Sequence, residues 1–208
     1  MRKEIVVGID PGSSICGVCV LEETQIIGAF NVKYSTLWDK ISHFLINPKC
    51  TVVIEDIRPY SIQLTPQIID TCKMIGEMVY RLRKEVGLDP VLISRGEVKK
   101  WVFDEFPEIC LPVIDKKFLK KRFLSCNVMT KEAEYVFEDG RPFKMRRGSF
   151  VSVNDRMVEK SMQFHYGFEL PAPGDGYPFG LKDHSWQALG VATAFIHKGQ
   201  KLALPVSH

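Results

Sequence analysis

No run in this chain approaches the eighteen consecutive apolar residues that a membrane-spanning helix needs, and its opening residues lack the blocks of a signal peptide. Met1-Arg-Lys-Glu4 passes straight into an apolar strand pattern, so the expectation is a soluble, intracellular protein of the cytoplasm. Internal repeats and low-complexity tracts are also missing, which excludes solenoid and fibrous architectures. Cysteine is sparse, with six in 208 residues, mostly inside apolar runs, which argues for free buried thiols and against a disulfide framework. Cys16 and Cys19 have the C-x-x-C spacing, but residues three apart on a strand point to opposite faces, which suits neither zinc nor a redox pair. The net charge is only +3, too small by itself to announce a polyanionic partner.

What is present is enough apolar residue, 45%, to bury the core of one domain. The charge is unevenly spread. From Ile114 to Phe150 there are ten Lys and Arg against five acids, which leaves the rest of the chain leaning acidic. An acidic body with one basic segment is what a metal centre beside a phosphate-binding surface requires, although a solvated basic helix face gives the same count.

Ile5-Val-Val-Gly-Ile-Asp10 reads as a buried strand, Pro11-Gly-Ser-Ser14 as a turn and the run from Ile15 as the return strand of a hairpin. A third strand is expected over Gln25 to Val32 and a helix over Thr36 to Ile46, with Leu37, Ile41, Phe44 and Leu45 on one side. Cys50 to Ile54 is a β-branched run ending in Glu55-Asp56. Next come a loop holding Arg58 and Tyr60, a helix from Pro66 to Val86 with Ile68, Ile69, Cys72, Ile75, Val79 and Leu82 at helical spacing, a strand over Pro90 to Ile93 and a helix over Arg95 to Phe103. Gly76, in mid-helix, predicts the close approach of another backbone. This order predicts an α/β fold with a mixed five-stranded sheet flanked by helices. Regularity fails between residues 104 and 152, read as a basic surface insertion within a single domain of 1–208. Asp115 to Leu124 is expected there as a helix, and Tyr135 to Met145 as a hairpin turning at Asp139-Gly140. Asn154 should cap a helix carrying Met157, Val158, Met162 and Phe164 inward, and a last helix should begin near Asp183-His184.

The chemistry lies in the acids. Asp10 and Glu55 stand where buried strands emerge, and Asp183 stands at a helix start. A desolvated carboxylate needs a cation or hydrogen-bond donors, unless Asp10 merely starts an Asx turn. Strand alternation lets only one of Glu55 and Asp56 face a site, and Glu55 directly follows the apolar run. If the three exits converge, their oxygens make a Mg²⁺ site, and two such ions roughly 3.5–4 Å apart serve in-line attack of water on a phosphodiester. His184 beside them would ligate metal or move a proton, or would simply be exposed.

Gly8-Ile-Asp10-Pro-Gly-Ser, the Ile54-Glu55 strand end, the helix carrying Gly76, Pro90-Val-Leu-Ile-Ser-Arg-Gly-Glu-Val-Lys99-Lys100 and the closing Asp183-His184-x-x-x-Ala188-Leu189 occur in one order over most of the chain. In this the sequence resembles the RuvC family of Holliday-junction resolvases, of the phage-like kind. The resemblance implies the ribonuclease H-like fold. It also implies a homodimeric crossover junction endodeoxyribonuclease that cuts four-way DNA symmetrically with Mg²⁺ or Mn²⁺, two ions per site. The metal ligands and catalytic groups would be Asp10, Glu55, Asp183 and His184. DNA contacts would come from Arg58, Lys99, Lys100, Lys120, Lys121, Arg146 and Arg147. Tyr60 would stack on an unpaired base or pack in the core. The two copies would meet through the Pro66 to Val86 helix.

One departure concerns the last helix. Aligning Ala188-Leu189 on the family pattern puts Gln187 where a final Asp stands, and His184 where an earlier acid or histidine stands. Either Asp183 has taken over the duty, or His184 is the third ligand, or the site is weakened. The alternatives to a resolvase are another ribonuclease H-fold nuclease, acting on RNA/DNA hybrids or flaps, and a junction-binding protein that no longer cleaves. The actin and sugar-kinase ATPases also open on a strand, an Asp and a Gly-rich turn, but their two duplicated halves exceed 208 residues.

Overall fold

The computed structural model describes residues 3–57, 64–106, 109, 121–127, 132–137, 142–144, 153–169 and 176–203, apart from the side chains of 121–144 and 200–203. They group into two units, one of residues 1–98 with 162–208 and one of 99–161.

The first unit is built on a five-stranded mixed sheet in the order β3-β2-β1-β4-β5. Strands β1 (Ile5–Asp10), β2 (Ile15–Glu22) and β3 (Gln25–Lys33) form an antiparallel meander. Helix α1 (Tyr34–Leu45) leads to β4 (Cys50–Asp56), which lies parallel to β1 with Ile9 opposite Ile54. Helix α2 (Pro66–Arg81) starts on Thr65, whose hydroxyl accepts from the Ile68 N–H at 3.3 Å. It runs into a π turn, Leu82–Val86, stopped by Gly87 at φ 76°. β5 (Val91–Ser94) then joins β4 in parallel.

Alternation along the strands sorts side chains onto two faces. Ile5, Val7, Ile9, Val18, Val20, Val52 and Ile54 form one apolar core with Leu37 and Ile41 of α1 and Ile75, Met78 and Leu82 at α2 and its π turn. The opposite face carries α5 (His184–Ala203), whose Trp186, Ala188, Leu189, Val191 and Ala192 are buried. No helix of the described residues is long and apolar enough to cross a membrane.

Two expectations about α2 need adjustment. Its buried residues are Thr71, Met74, Ile75, Met78 and Leu82, while Ile69 is exposed, so the inward stripe is rotated from the one its aliphatic residues suggest. The thioethers of Met74 and Met78 and the Thr71 hydroxyl, which donates to the Gln67 carbonyl, fill positions that branched aliphatics alone would not have marked. Among the described residues nothing lies within 4 Å of a Cβ built on Gly76, so no described backbone packs there.

In the second unit β6 (Lys121–Asn127), β7 (Glu132–Phe137) and β8 (Pro142–Lys144) make an antiparallel sheet. The expected hairpin is present, with Val136 opposite Pro142, while its Asp139-Gly140 turn lies outside the described residues. The basic helix expected over Asp115 to Leu124 is contradicted at its described residues, 121–124, while 115–120 lie outside the described residues. From Lys121 onward the chain is strand, because pairing with β7 satisfies its backbone groups and overrides the modest helix propensity of Lys, Arg and Leu.

Helices α3 (Arg95–Glu105) and α4 (Asp155–His165) begin close to expectation. The Asn154 side chain accepts from the Met157 N–H at 3.0 Å. Phe164, expected inward, is 72% exposed. Val158, Ser161 and Met162 make the buried stripe, and a residue two places past Met162 lies on the other side of the helix.

Candidate active site

Asp10 closes β1 because Pro11-Gly12 turns the chain there. A Cβ on Gly12 would come within 2.4 Å of the Ile15 carbonyl oxygen, so the tight turn demands glycine. The parallel register that sets Ile9 beside Ile54 sets Asp10 beside Glu55, with Cα atoms about 4.8 Å apart by strand spacing. Both side chains lie on the face opposite Ile9 and Ile54, the face covered by α5. Both residues are nearly sealed from water, at 6% and 4% exposure. Two carboxylates at that separation in a low-dielectric pocket repel, so the arrangement calls for positive charge or donors around it.

One donor is His184, the first residue of α5. Its Nδ1 lies 2.9 Å from Asp10 Oδ2. Where the Asp10 carboxylate accepts this bond, Nδ1 is its donor. The imidazole is about half exposed while the Asp10 side chain is almost wholly enclosed, so His184 stands between a buried acid and solvent.

The helix reaches this position through three features. Gly17 on β2 faces its first residue, where a Cβ would be 2.1 Å from the His184 carbonyl oxygen, and Gly8 on β1 likewise faces the Ala188 oxygen at 2.4 Å. Ser185 fixes the helix start by accepting from the Lys182 N–H at 2.8 Å and donating to the Lys182 carbonyl at 2.7 Å. Trp186 anchors it, with its ring edge-on to Tyr177 at 4.9 Å between centroids. Sequence reasoning named Gly8 only as part of a motif and missed Gly17 and Ser185. The two glycines inside buried strand patterns were the available signal, since glycine there marks a close backbone approach.

The structure thus brings Asp10, Glu55 and His184 to one end and one face of the sheet. Asp183 lies exposed in the preceding turn at φ 42° and holds the helix start through its carbonyl, which accepts from the Trp186 N–H at 3.2 Å. Among the described residues no three His, Cys, Asp or Glu side chains are placed to hold a metal ion together. The donors still fit one hard cation. Mg²⁺ dehydrates reluctantly and is commonly held by one or two carboxylates, with water and substrate phosphate completing six oxygens, and Asp10 with Glu55 is such a pair.

Lys99 pairs with Asp155 at 3.7 Å and Lys100 with Asp104 at 2.6 Å, both within the second unit. Arg58, Tyr60, Lys120, Arg146 and Arg147 lie outside the described residues, and of Lys121 only the backbone is described. Burial pushes the Cys16 thiol up to about 11 and Cys19 higher still, so both stay protonated, and neither is disulfide-bonded. A hollow of about 340 Å³ lined by Glu4, Val6, Glu23, Phe195 and Ile196 lies at the start of β1, the end away from Asp10.

No protein-family model matches this chain, and no curated protein sequence is significantly similar to it. Among solved structures it is similar to T. thermophilus RuvC in complex with a Holliday junction substrate, with 13% identity, 95% of this chain and 96% of that one covered, and a TM-score of 0.50. A second Thermus thermophilus RuvC structure aligns over the same shares at 13% identity and a TM-score of 0.49. YeaZ from Pseudomonas aeruginosa follows at 9% identity, 99% and 100% coverage and a TM-score of 0.37. At such identities the likeness is one of fold, and the fold is the ribonuclease H-like one.

Proposed function

We propose that this protein is a divalent-metal-dependent, structure-specific DNA endonuclease that resolves four-way junctions. The observation that carries this reading is the buried pair Asp10 and Glu55, side by side on adjacent parallel strands, with α5 setting His184 against Asp10. The T. thermophilus RuvC structure, which holds a Holliday junction substrate on the same fold, supports branched DNA as the substrate class.

In this reading Asp10 and Glu55 would hold Mg²⁺ or Mn²⁺, which when bound supplies an activated water and charge stabilisation at the phosphate. The chain's own groups do the rest. The enclosed walls around Asp10 and Glu55 exclude bulk water and strengthen every charge interaction within. His184 Nδ1–H fixes the orientation of the Asp10 carboxylate, and Nε2 is available to take or pass a proton at the solvent side. Asp183, at the same helix start, serves as a further ligand once the phosphate is bound. Lys99, Lys100, Lys120, Lys121, Arg146 and Arg147 hold the DNA backbone, Arg58 grips a phosphate beside the branch and Tyr60 stacks there.

Symmetric cutting of a two-fold junction calls for two sites, hence a homodimer. Ile69 at 42% and Tyr80 at 61% exposure flank Gly76, which meets nothing within 4 Å among the described residues, and this strip of α2 is the proposed contact between copies. Gly76→Leu should shift the protein from dimer to monomer in light scattering. A monomeric unmodified protein at micromolar concentration overturns the dimer.

The deciding assay offers a synthetic four-way junction, a plain duplex, an RNA/DNA hybrid and a flap, each with Mg²⁺, Mn²⁺ or chelator. Paired incision of the junction alone, lost in chelator, is expected. Preferred cutting of the hybrid or flap assigns another nuclease of this fold, and junction binding without incision in either metal assigns a protein that only holds branches.

A further inference from the structure

Phe179 adopts a backbone conformation that its side chain does not favour. It sits at φ 62°, ψ 8°, in the short turn Pro178–Gly180 just before α5. That region suits glycine and tolerates Asn or Asp, whereas a bulky residue there is a true outlier. Asp183 is left-handed as well, a conformation that aspartate tolerates, so Phe179 is the strained residue of the segment leading into the helix that carries His184. Strain of this kind persists only where the surroundings enforce it, and it gathers at sites that hold ligands.

The surroundings are clear. Gly180 is seated so tightly on β3 that a Cβ would lie 2.6 Å from the Ala29 carbonyl oxygen, which fixes the turn. Phe179 is nonetheless 52% exposed. Its inner side meets Phe168 at 6.4 Å between centroids, Phe168 meets Trp186 at 5.9 Å, and Trp186 is buried two residues after His184. Tyr177, on the other flank of Trp186, accepts from Gln163 Nε2 at 2.9 Å. A solvent-facing ring is therefore the outer member of a braced aromatic series rooted at the catalytic helix. Ala29 stands opposite Cys19, which stands opposite Gly8, so the turn is two strands across and two residues back from Asp10. By sheet spacing that is about 12 Å.

We propose that Phe179 is a stacking platform for an unstacked base of the DNA, three or four nucleotides from the phosphodiester at Asp10 and Glu55. The distance follows from a stacked strand rising about 3.4 Å per nucleotide. A branch point offers bases that have lost a stacking partner, and an aromatic face receives any of them without hydrogen-bond readout. Glycine would suit the same backbone without strain, so the phenylalanine ring is kept here at a cost in backbone strain. This assignment rests on the nuclease reading and adds a recognition residue remote from the acidic pair.

The test uses four-way junctions carrying 2-aminopurine at successive positions from the branch, in chelator so that binding is read without cutting. In the unmodified protein one position should be quenched by stacking. Phe179→Gly should still fold, lose that quenching and bind the junction about 5- to 150-fold more weakly, with little change on plain duplex. Phe179→Trp should keep both signals. If the Gly variant fails to fold, Phe179→Leu decides, because it fills the space without a π face and should lose the quenching. Undiminished junction binding and quenching in the Gly or Leu variant, or equal weakening on junction and duplex, overturns the assignment while leaving the nuclease reading intact. An unmodified protein that neither binds nor cuts branched DNA overturns both.

Discussion

On one face of the sheet, Ile5, Val7 and Ile9 of β1 meet Leu37, Ile41, Met78 and Leu82. On the other, Val6, Gly8 and Asp10 of the same strand lie under α5. The first face is filled by large aliphatic side chains that hold two helices off the sheet. The second is filled by helix backbone, because Gly8 and Gly17 leave no side chain in the way. A sheet that keeps one helix this close can set that helix's first residue against a strand-end carboxylate at hydrogen-bond distance. The aliphatic face supplies stability, and the glycine face supplies geometry.

That division predicts graded outcomes. The largest effect belongs to Asp10→Asn and Glu55→Gln, which should each lower junction cleavage by at least about a hundredfold. Both variants should remain folded, since each substitution keeps the side chain's size and shape. Single-turnover cleavage beside a thermal melt reads both, and near-normal cutting by either variant removes the acids from the site.

Next in size is the aliphatic face. Ile41→Ala should reduce unfolding free energy by about 2–5 kcal/mol, as a buried large-to-small change does. Cleavage per folded molecule at low temperature should stay unchanged. Urea unfolding with an activity assay on the folded fraction checks the pair, and a specific loss of activity would show that the two faces are coupled.

Gly17→Ala should cost about 1–3 kcal/mol, because the new methyl presses on helix backbone that can move only as a whole. It should also slow cleavage more than Ile41→Ala does, since the displaced part is His184. If Gly17→Ala proves destabilised yet fully active, the closeness of α5 is a matter of packing alone.

The smallest effect concerns Glu97, at the start of α3. Its carboxylate accepts from Lys198 Nζ at 2.8 Å and from the Ser94 hydroxyl and N–H at 2.7 and 2.9 Å, and these bonds hold its pKa near 2. A depressed carboxyl pKa contributes stability that is fully present above the ordinary value of 4.5 and is lost as pH falls through about 2. Glu97→Gln should therefore flatten the melting curve's pH dependence between those limits by under about 1 kcal/mol, given how exposed the pair is. An unaltered profile would mean the Lys198 contact is too solvated to matter.

The sheet was readable in advance because each strand announced itself locally. The β-branched runs of β1 and β4, and the acids at their exits, are properties of six or seven consecutive residues. Local signals also located α1, α4 with its Asn154 cap, and the β7–β8 hairpin. They failed at β6, where strand pairing outweighed propensity, and at Phe164, where one step of helical phase decides inside from outside.

What the sequence determined by itself, then, is that two carboxylates end two buried strands and that a His-bearing helix closes the chain. Only the tertiary structure decided that Asp10 and Glu55 are neighbours, because parallel register is set by a crossover connection and not by either strand. Only it decided that His184 lies against Asp10 while Asp183 stays exposed in the turn. That choice depends on a helix approaching within a methyl group's width of Gly8 and Gly17, and such an approach exists only once both surfaces are assembled.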